Sequence, residues 1–145
     1  AWFLLRVFPG FSFFGAVSSG IFASFFWAKK KSWDFWVLAD NLIIVFFLTL
    51  SLLSLEMFIS GGEIFFLALT LFSFFCLLFS FFFNRNYRKF IWYKSGKPGF
   101  SACLGMAIFS GGFSLLEIFG GKGLYWERLG FFALLFLSLG FFYYR

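Results

Sequence analysis

The chain of 145 residues is 62% hydrophobic, is charged at only 12% of its positions, and carries a formal net charge of +6. Soluble domains are about 25% charged, and a single core of this size could not hide so much apolar surface. Its 31 phenylalanines and lack of histidine exclude disorder, His-dependent nucleophiles and bases, and His-ligated metal sites. The composition is that of an integral membrane protein.

The chain opens at Ala1 inside an apolar run, with no basic segment ahead of it, which reads as a chain truncated at its N-terminus rather than one carrying a secretory signal. Charges and glycines then divide it into runs of membrane length. The first covers residues 11–28 and is stopped by Lys29-Lys30-Lys31. The second, 35–60, has Asp40 near its start and Glu56 near its end. The third, 64–83, is uncharged, and 15 of its 20 residues are Phe, Leu or Ile. At roughly −0.3 to −0.6 kcal/mol each, these favour insertion by several kcal/mol. After a basic loop, 84–98, a fourth run covers 99–119 and holds Glu117. The fifth, 129–144, is short for a bilayer that needs about 20 residues, with Tyr125, Trp126, Tyr143 and Tyr144 as interfacial anchors. No run alternates with period two, which argues against a barrel. The expected fold is an all-α polytopic bundle of about five transmembrane spans in a single domain, 1–145.

Orientation follows from the basic residues. Lys29, Lys30, Lys31, Arg85, Arg88, Lys89, Lys94, Lys97 and Arg145 fall on one side, and Arg6, Lys122 and Arg128 on the other. Nine against three predicts an N-out/C-in topology, with the basic loops in the cytoplasm. Positive charge in juxtamembrane loops answers anionic lipid headgroups, so no nucleic-acid partner is expected.

Small residues recur every four positions at Gly15, Ser19 and Ala23, beside a second stripe of Ala16, Gly20 and Ser24, and again at Cys103, Ala107 and Gly111. Such stripes predict close helix packing in lipid, with a substrate groove as the lesser alternative. Cys76 and Cys103 lie in apolar runs without paired spacing and read as packing residues. Phe100-Ser101-Ala102-Cys103 looks like a lipobox, but its place in mid-chain makes it a coincidence.

Ionisable residues within spans are costly and therefore informative. Glu56, Glu63 and Glu117 gather near the outer interface with Arg6, Lys122 and Arg128. Thr49, Glu56 and Ser60 share a face of the second helix, and Ser110, Ser114 and Glu117 share one of the fourth. Two readings stay open: an outer-leaflet pocket for a lipid headgroup or a proton, or glutamates that reach water and pair with nearby bases. The second is preferred. Asp40 and Asn41 are expected to cap a helix or to pair with the Lys29–Lys31 turn.

Taken in order, Ser12-Phe13-Phe14-Gly15, Leu38-Ala39-Asp40, Leu53 to Gly61, Pro98-Gly99, Phe109 to Glu117 and Gly123-Leu124 form a series. This series resembles the motifs of prolipoprotein diacylglyceryl transferase, the bacterial enzyme that begins lipoprotein maturation: S-F-H-G-G, L-A-D, G-R-I-G-N-F-I-N-G, P-G, Y-G-x-x-R-F-x-x-E and G-L-T. The resemblance implies a multi-pass protein of the bacterial cytoplasmic membrane, with phosphatidylglycerol and a prolipoprotein signal peptide as partners and without a metal or soluble cofactor. It marks Gly15, Glu56, Gly61, Glu63 and Glu117 as candidates for a lipid or substrate pocket, and Asp40 and Phe58 as structural matches. The chain also departs from the pattern. The family's His falls at Phe14, its arginines at Ser54 and Phe113, its Asn at Met57 and its Tyr at Phe109; Glu63 comes one position late, and the soluble head region is missing. Diacylglyceryl transfer needs a thiolate nucleophile and a cation to hold the departing phosphate. With both family arginines replaced, no clamp stands within the spans, and Arg6, Lys122 or Arg128 could substitute only from the interface. The sequence therefore predicts a divergent or inactive relative of the transferase, which as an enzyme would bind phosphatidylglycerol between its helices and open toward the outer leaflet. The alternative is a non-catalytic module that binds lipid or a partner on the same scaffold. A small transporter, which would need broken helices and midplane charges, ranks last.

Overall fold

The computed structural model describes residues 13–86, 89, 97–120 and 125–144. Among them are five helices and no strand: α1 (Phe13–Lys30), α2 (Phe35–Gly61), α3 (Ile64–Asn86), α4 (Phe100–Gly120) and α5 (Tyr125–Tyr144). Their bounds fall close to the five apolar runs. α2, α3 and α4 are each long and apolar enough to cross a bilayer, whereas the apolar stretch of α5, Arg128–Tyr144, is shorter. The exterior is apolar too: Phe22, Phe26, Ile59, Leu71 and Phe136 are all exposed. A surface of this kind belongs in lipid, and the chain is a membrane protein.

The connections between helices are short because the sequence places specific stop signals. At the end of α1, Ser32 takes a left-handed conformation (φ 57°). The Trp33 N–H then donates to the Ala28 carbonyl at 2.9 Å and the Ser32 N–H to that of Lys29 at 3.3 Å. This Schellman-type pair satisfies the terminal carbonyls, and Lys29 and Lys30 complement the negative end of the helix. Asp34 opens α2 by accepting from the Trp36 N–H at 2.9 Å. At the far end of α2, Gly62 adopts φ 67° and donates to the Phe58 carbonyl at 2.7 Å. Only Gly62 and Glu63 then separate α2 from α3, so the two helices pack antiparallel.

α4 is the central helix and is buried against α2, α3 and α5. Its glycines form notches that receive rings from α3. A Cβ on Gly112 would lie 2.1 Å from Phe72 Cζ, and one on Gly120 would lie 2.8 Å from Phe65 Cδ2. Phe65 and Phe72 are seven residues apart, which is two turns of one helix face. At Gly105 a Cβ would meet Ser80 Oγ at 3.0 Å and Ile43 Cγ1 at 3.2 Å, so three helices converge there. Without a hydrophobic drive between helices in lipid, such backbone proximity is what brings them together. Gly112→Ala should therefore push the Phe72 ring out of its notch and destabilise the bundle by about 1–3 kcal/mol. Unfolding in mixed micelles would measure this, and adding Phe72→Ala should relieve part of the overpacking.

The small-residue stripes behave differently from one another. Cys103 and Ala107 are buried, and a Cβ on Gly111 would lie 2.9 Å from Leu135 Cδ1, so the α4 stripe does make a helix contact, with α5. On α1, Ala16 and Ser24 of the second stripe are half-buried with nothing within 4 Å of a Cβ on Gly20, whereas Gly15, Ser19 and Ala23 of the first stripe are exposed. The expected packing role is not seen for the first stripe among the described residues. The hydroxyls of both stripes turn to local carbonyls: Ser19 donates to Ala16 and Ser24 to Gly20, which lets serine face lipid.

Candidate functional site

The best-defined polar cluster is at the end of the bundle where α1 stops, α2 and α4 begin, and α3 and α5 stop. α4 opens on Pro98-Gly99, and Gly99 has no side chain to cap it. The acceptor comes from α2: the two carboxylate oxygens of Asp40 take the Gly99 N–H at 2.7 Å and the Ala102 N–H at 2.8 Å. One carboxylate thus does from a neighbouring helix what a capping box does within a single one. Asp40 is 4% exposed. Trp36 closes over the junction, with its Cε3 2.6 Å from where a Gly99 Cβ would stand, and Gly99 holds φ 103°. Asp40, one of the two residues the resemblance marked as structural, is therefore a cap, and the helix it caps is α4.

Along α4, the residues at i, i+4 and i+8 form one buried face of Phe109, Phe113 and Glu117, at 0%, 5% and 3% exposure. Phe109 is surrounded by Phe46, Phe47, Phe72, Phe113 and Phe131 at centroid distances of 5.4 to 6.3 Å. Phe113 lies 4.7 Å from Phe131. Ser54, buried on α2, accepts a hydrogen bond from Thr70 Oγ1 of α3 at 2.9 Å and donates to the Leu50 carbonyl at 2.8 Å. The positions the resemblance aligned with the family's two arginines and its tyrosine thus all face the interior. They hold a serine spent on packing and two rings.

The glutamates do not share one environment. Glu117 is buried, and Arg128 Nη2 of α5 donates to the Glu117 backbone carbonyl at 3.4 Å, placing a guanidinium at the negative end of α4. Glu56 and Glu63 are exposed, as are Gly15 and Gly61, while Phe58 is half-buried. The Glu63 carbonyl accepts from the Phe66 N–H at 3.0 Å. Of the two polar faces read from the sequence, Ser110, Ser114 and Glu117 point inward, whereas Thr49, Glu56 and Ser60 point outward. Thr49 and Ser60 can do so because their hydroxyls donate to the carbonyls one turn back, at 2.8 Å each. The two faces do not line a common interior.

Arg6, Ser12, Arg88, Lys94, Lys122, Gly123, Leu124 and Arg145 lie outside the described residues, as do the side chains of Phe14, Tyr125 and Trp126. Among the described residues no group of three or more Cys, Asp or Glu gathers closely enough to hold a metal ion. The sequence reading of Asp40 as a helix cap holds, but it did not identify the start of α4 as the helix capped. The signal for that was a helix start on Pro-Gly with no capping side chain, together with one aspartate in an apolar run.

Fold and site together define an all-α membrane protein with a phenylalanine-packed interior. No protein-family model, no curated protein and no solved structure matches the chain.

Proposed function

We propose that this protein is a motif-eroded relative of prolipoprotein diacylglyceryl transferase that has kept a membrane scaffold and lost the transfer chemistry. On this reading it is a non-catalytic module of the bacterial cytoplasmic membrane, holding phosphatidylglycerol or a partner segment against its helices, with its basic end in the cytoplasm. The ordered motif series supports the ancestry. The observation that carries the loss is the buried face of α4, where Phe109 and Phe113 pack in the aromatic core at the positions aligned with the family's Tyr and Arg. A diacylglyceryl transfer must stabilise a departing glycerol phosphate, and the rings at these two positions have no donor to offer it. Arg128 lies at the end of α4, where it already serves the Glu117 carbonyl.

The test is transfer of labelled diacylglycerol from phosphatidylglycerol to a lipobox peptide by the purified chain in vesicles. No label above the protein-free blank is the expected result. Transfer that Glu117→Gln abolishes would overturn the loss of activity and make the chain an enzyme.

A further inference from the structure

The two ends of the bundle differ in charge. Lys29, Lys30, Lys31, Arg85, Lys89 and Lys97 are all exposed. The fold draws them to one end. Lys29 to Lys31 close α1, Arg85 lies in the last turn of α3, and Lys97 stands two residues before the Gly99 that Asp40 clamps to the start of α2. Phe83 of α3 stacks on Phe100 of α4 at 5.9 Å, and Phe100 meets Phe142 of α5 at 5.4 Å, so α3 and α5 end there too. The described acids of this end, Asp34 and Asp40, both accept backbone N–H groups at helix starts. Glu56, Glu63 and Glu117 lie at the other end. Beside the lysines, Trp27 and Trp33 are more than half exposed, at 59% and 55%.

We propose that this end is a docking surface selective for anionic phospholipid headgroups. Exposed indoles hold their level at the headgroup boundary, and lysine stems run along the apolar surface while the ammonium groups reach the phosphates. One basic residue beside an anionic surface is worth a factor of about five in association, so six on one end give a clear preference even when they are far from additive. The proposal does not rest on descent from the transferase. It concerns exposed cations at one end of the bundle, whereas that reading rests on the buried face of α4, so either can fail alone.

The experiment reconstitutes the full chain in phosphatidylcholine vesicles with trace spin-labelled phosphatidylglycerol or spin-labelled phosphatidylcholine. The motionally restricted fraction of each label gives its relative association with the protein. Phosphatidylglycerol should be preferred by about threefold to tenfold, and the preference should shrink in high salt, which screens exposed charges. The Lys29→Gln, Lys30→Gln, Lys31→Gln triple variant should lose most of it while keeping its helical circular dichroism. Glu56→Gln with Glu63→Gln, at the opposite end, should leave it unchanged. Equal restriction of the two labels, or a preference undiminished in the lysine variant, would overturn the proposal.

Discussion

Replacing Asp40 by alanine is expected to be among the most damaging single changes in the protein. It strips the acceptors from the Gly99 and Ala102 N–H groups at a site that is buried within the bundle. A hydrogen bond to a charged group contributes about 1.5–3 kcal/mol, and a buried donor left unsatisfied adds its own cost. The combined loss should be about 3–5 kcal/mol, in the range seen when one member of a buried charged pair is removed. Asp40→Asn offers a single carbonyl oxygen and should retain roughly half of the stabilisation. Unfolding in mixed micelles reads the energies, and amide exchange reads their location. Exchange should accelerate first at the start of α4, because that turn loses its cap while the ring contacts further along persist. If Asp40→Ala unfolds within about 1 kcal/mol of the native chain, water or a rearranged start of α4 replaces the carboxylate, and the clamp is not structural.

Phe109→Ala is the second large effect. Phe109 is fully buried and has rings from α2, α3, α4 and α5 around it, so its removal opens a cavity where four helices meet. Phe→Ala in a soluble core costs about 3–5 kcal/mol. In lipid the separated helices still have apolar surroundings, so the transfer part shrinks and the packing part remains. A cost of about 2–3 kcal/mol is expected, with Phe46→Ala, at a half-buried ring, costing less. Phe109→Tyr bears on function as well. It restores the residue the transferase resemblance implies, but it places a hydroxyl among phenylalanines. It should destabilise the bundle and confer no transfer activity. Stability equal to the native chain would mean that the interior holds a polar partner for that hydroxyl.

Helix placement was largely legible in the sequence. Charge runs such as Lys29 to Lys31 and glycine turns such as Gly61-Gly62 interrupt long apolar segments, and lipid leaves the intervening backbone little choice but a helix. Which face of each helix turns inward was less legible, for a physical reason. In a soluble helix polarity marks the outside, but here lipid and core are equally apolar, so phenylalanine stands on both faces. Serine is ambiguous as well. Ser54, Ser73, Ser80, Ser101, Ser110 and Ser114 are buried where a small side chain allows close approach, and Ser19 and Ser60 are exposed. Yet Ser54, Ser114, Ser19 and Ser60 all satisfy their hydroxyls on their own helix, so that bond does not tell the two kinds apart.

The candidate site divides along the same line. That Asp40 must find a partner follows from the cost of a charge in an apolar run. That its partners are the Gly99 and Ala102 N–H groups, 59 and 62 residues away, depends on α2 and α4 lying side by side with their starts in register. Glu56 and Glu117 look equivalent in sequence, each near the outer end of a span. Only packing separates them, turning Glu117 inward beside Arg128 and leaving Glu56 exposed.

The sequence by itself determined the class: an all-helical protein dissolved in lipid, without imidazole chemistry, with its positive charge concentrated in the segments that flank the spans. Those properties depend on the number and order of residues and on the solvent each can tolerate. The tertiary structure decided that the α4 face of Phe109, Phe113 and Glu117 is interior, that a glycine-started helix borrows its cap from another helix, and that Glu56 and Glu117 part company. Each of these depends on which helices touch and at what depth. In a bilayer that is set by where glycines admit rings and where one carboxylate can reach two amides, distances no hydropathy pattern encodes.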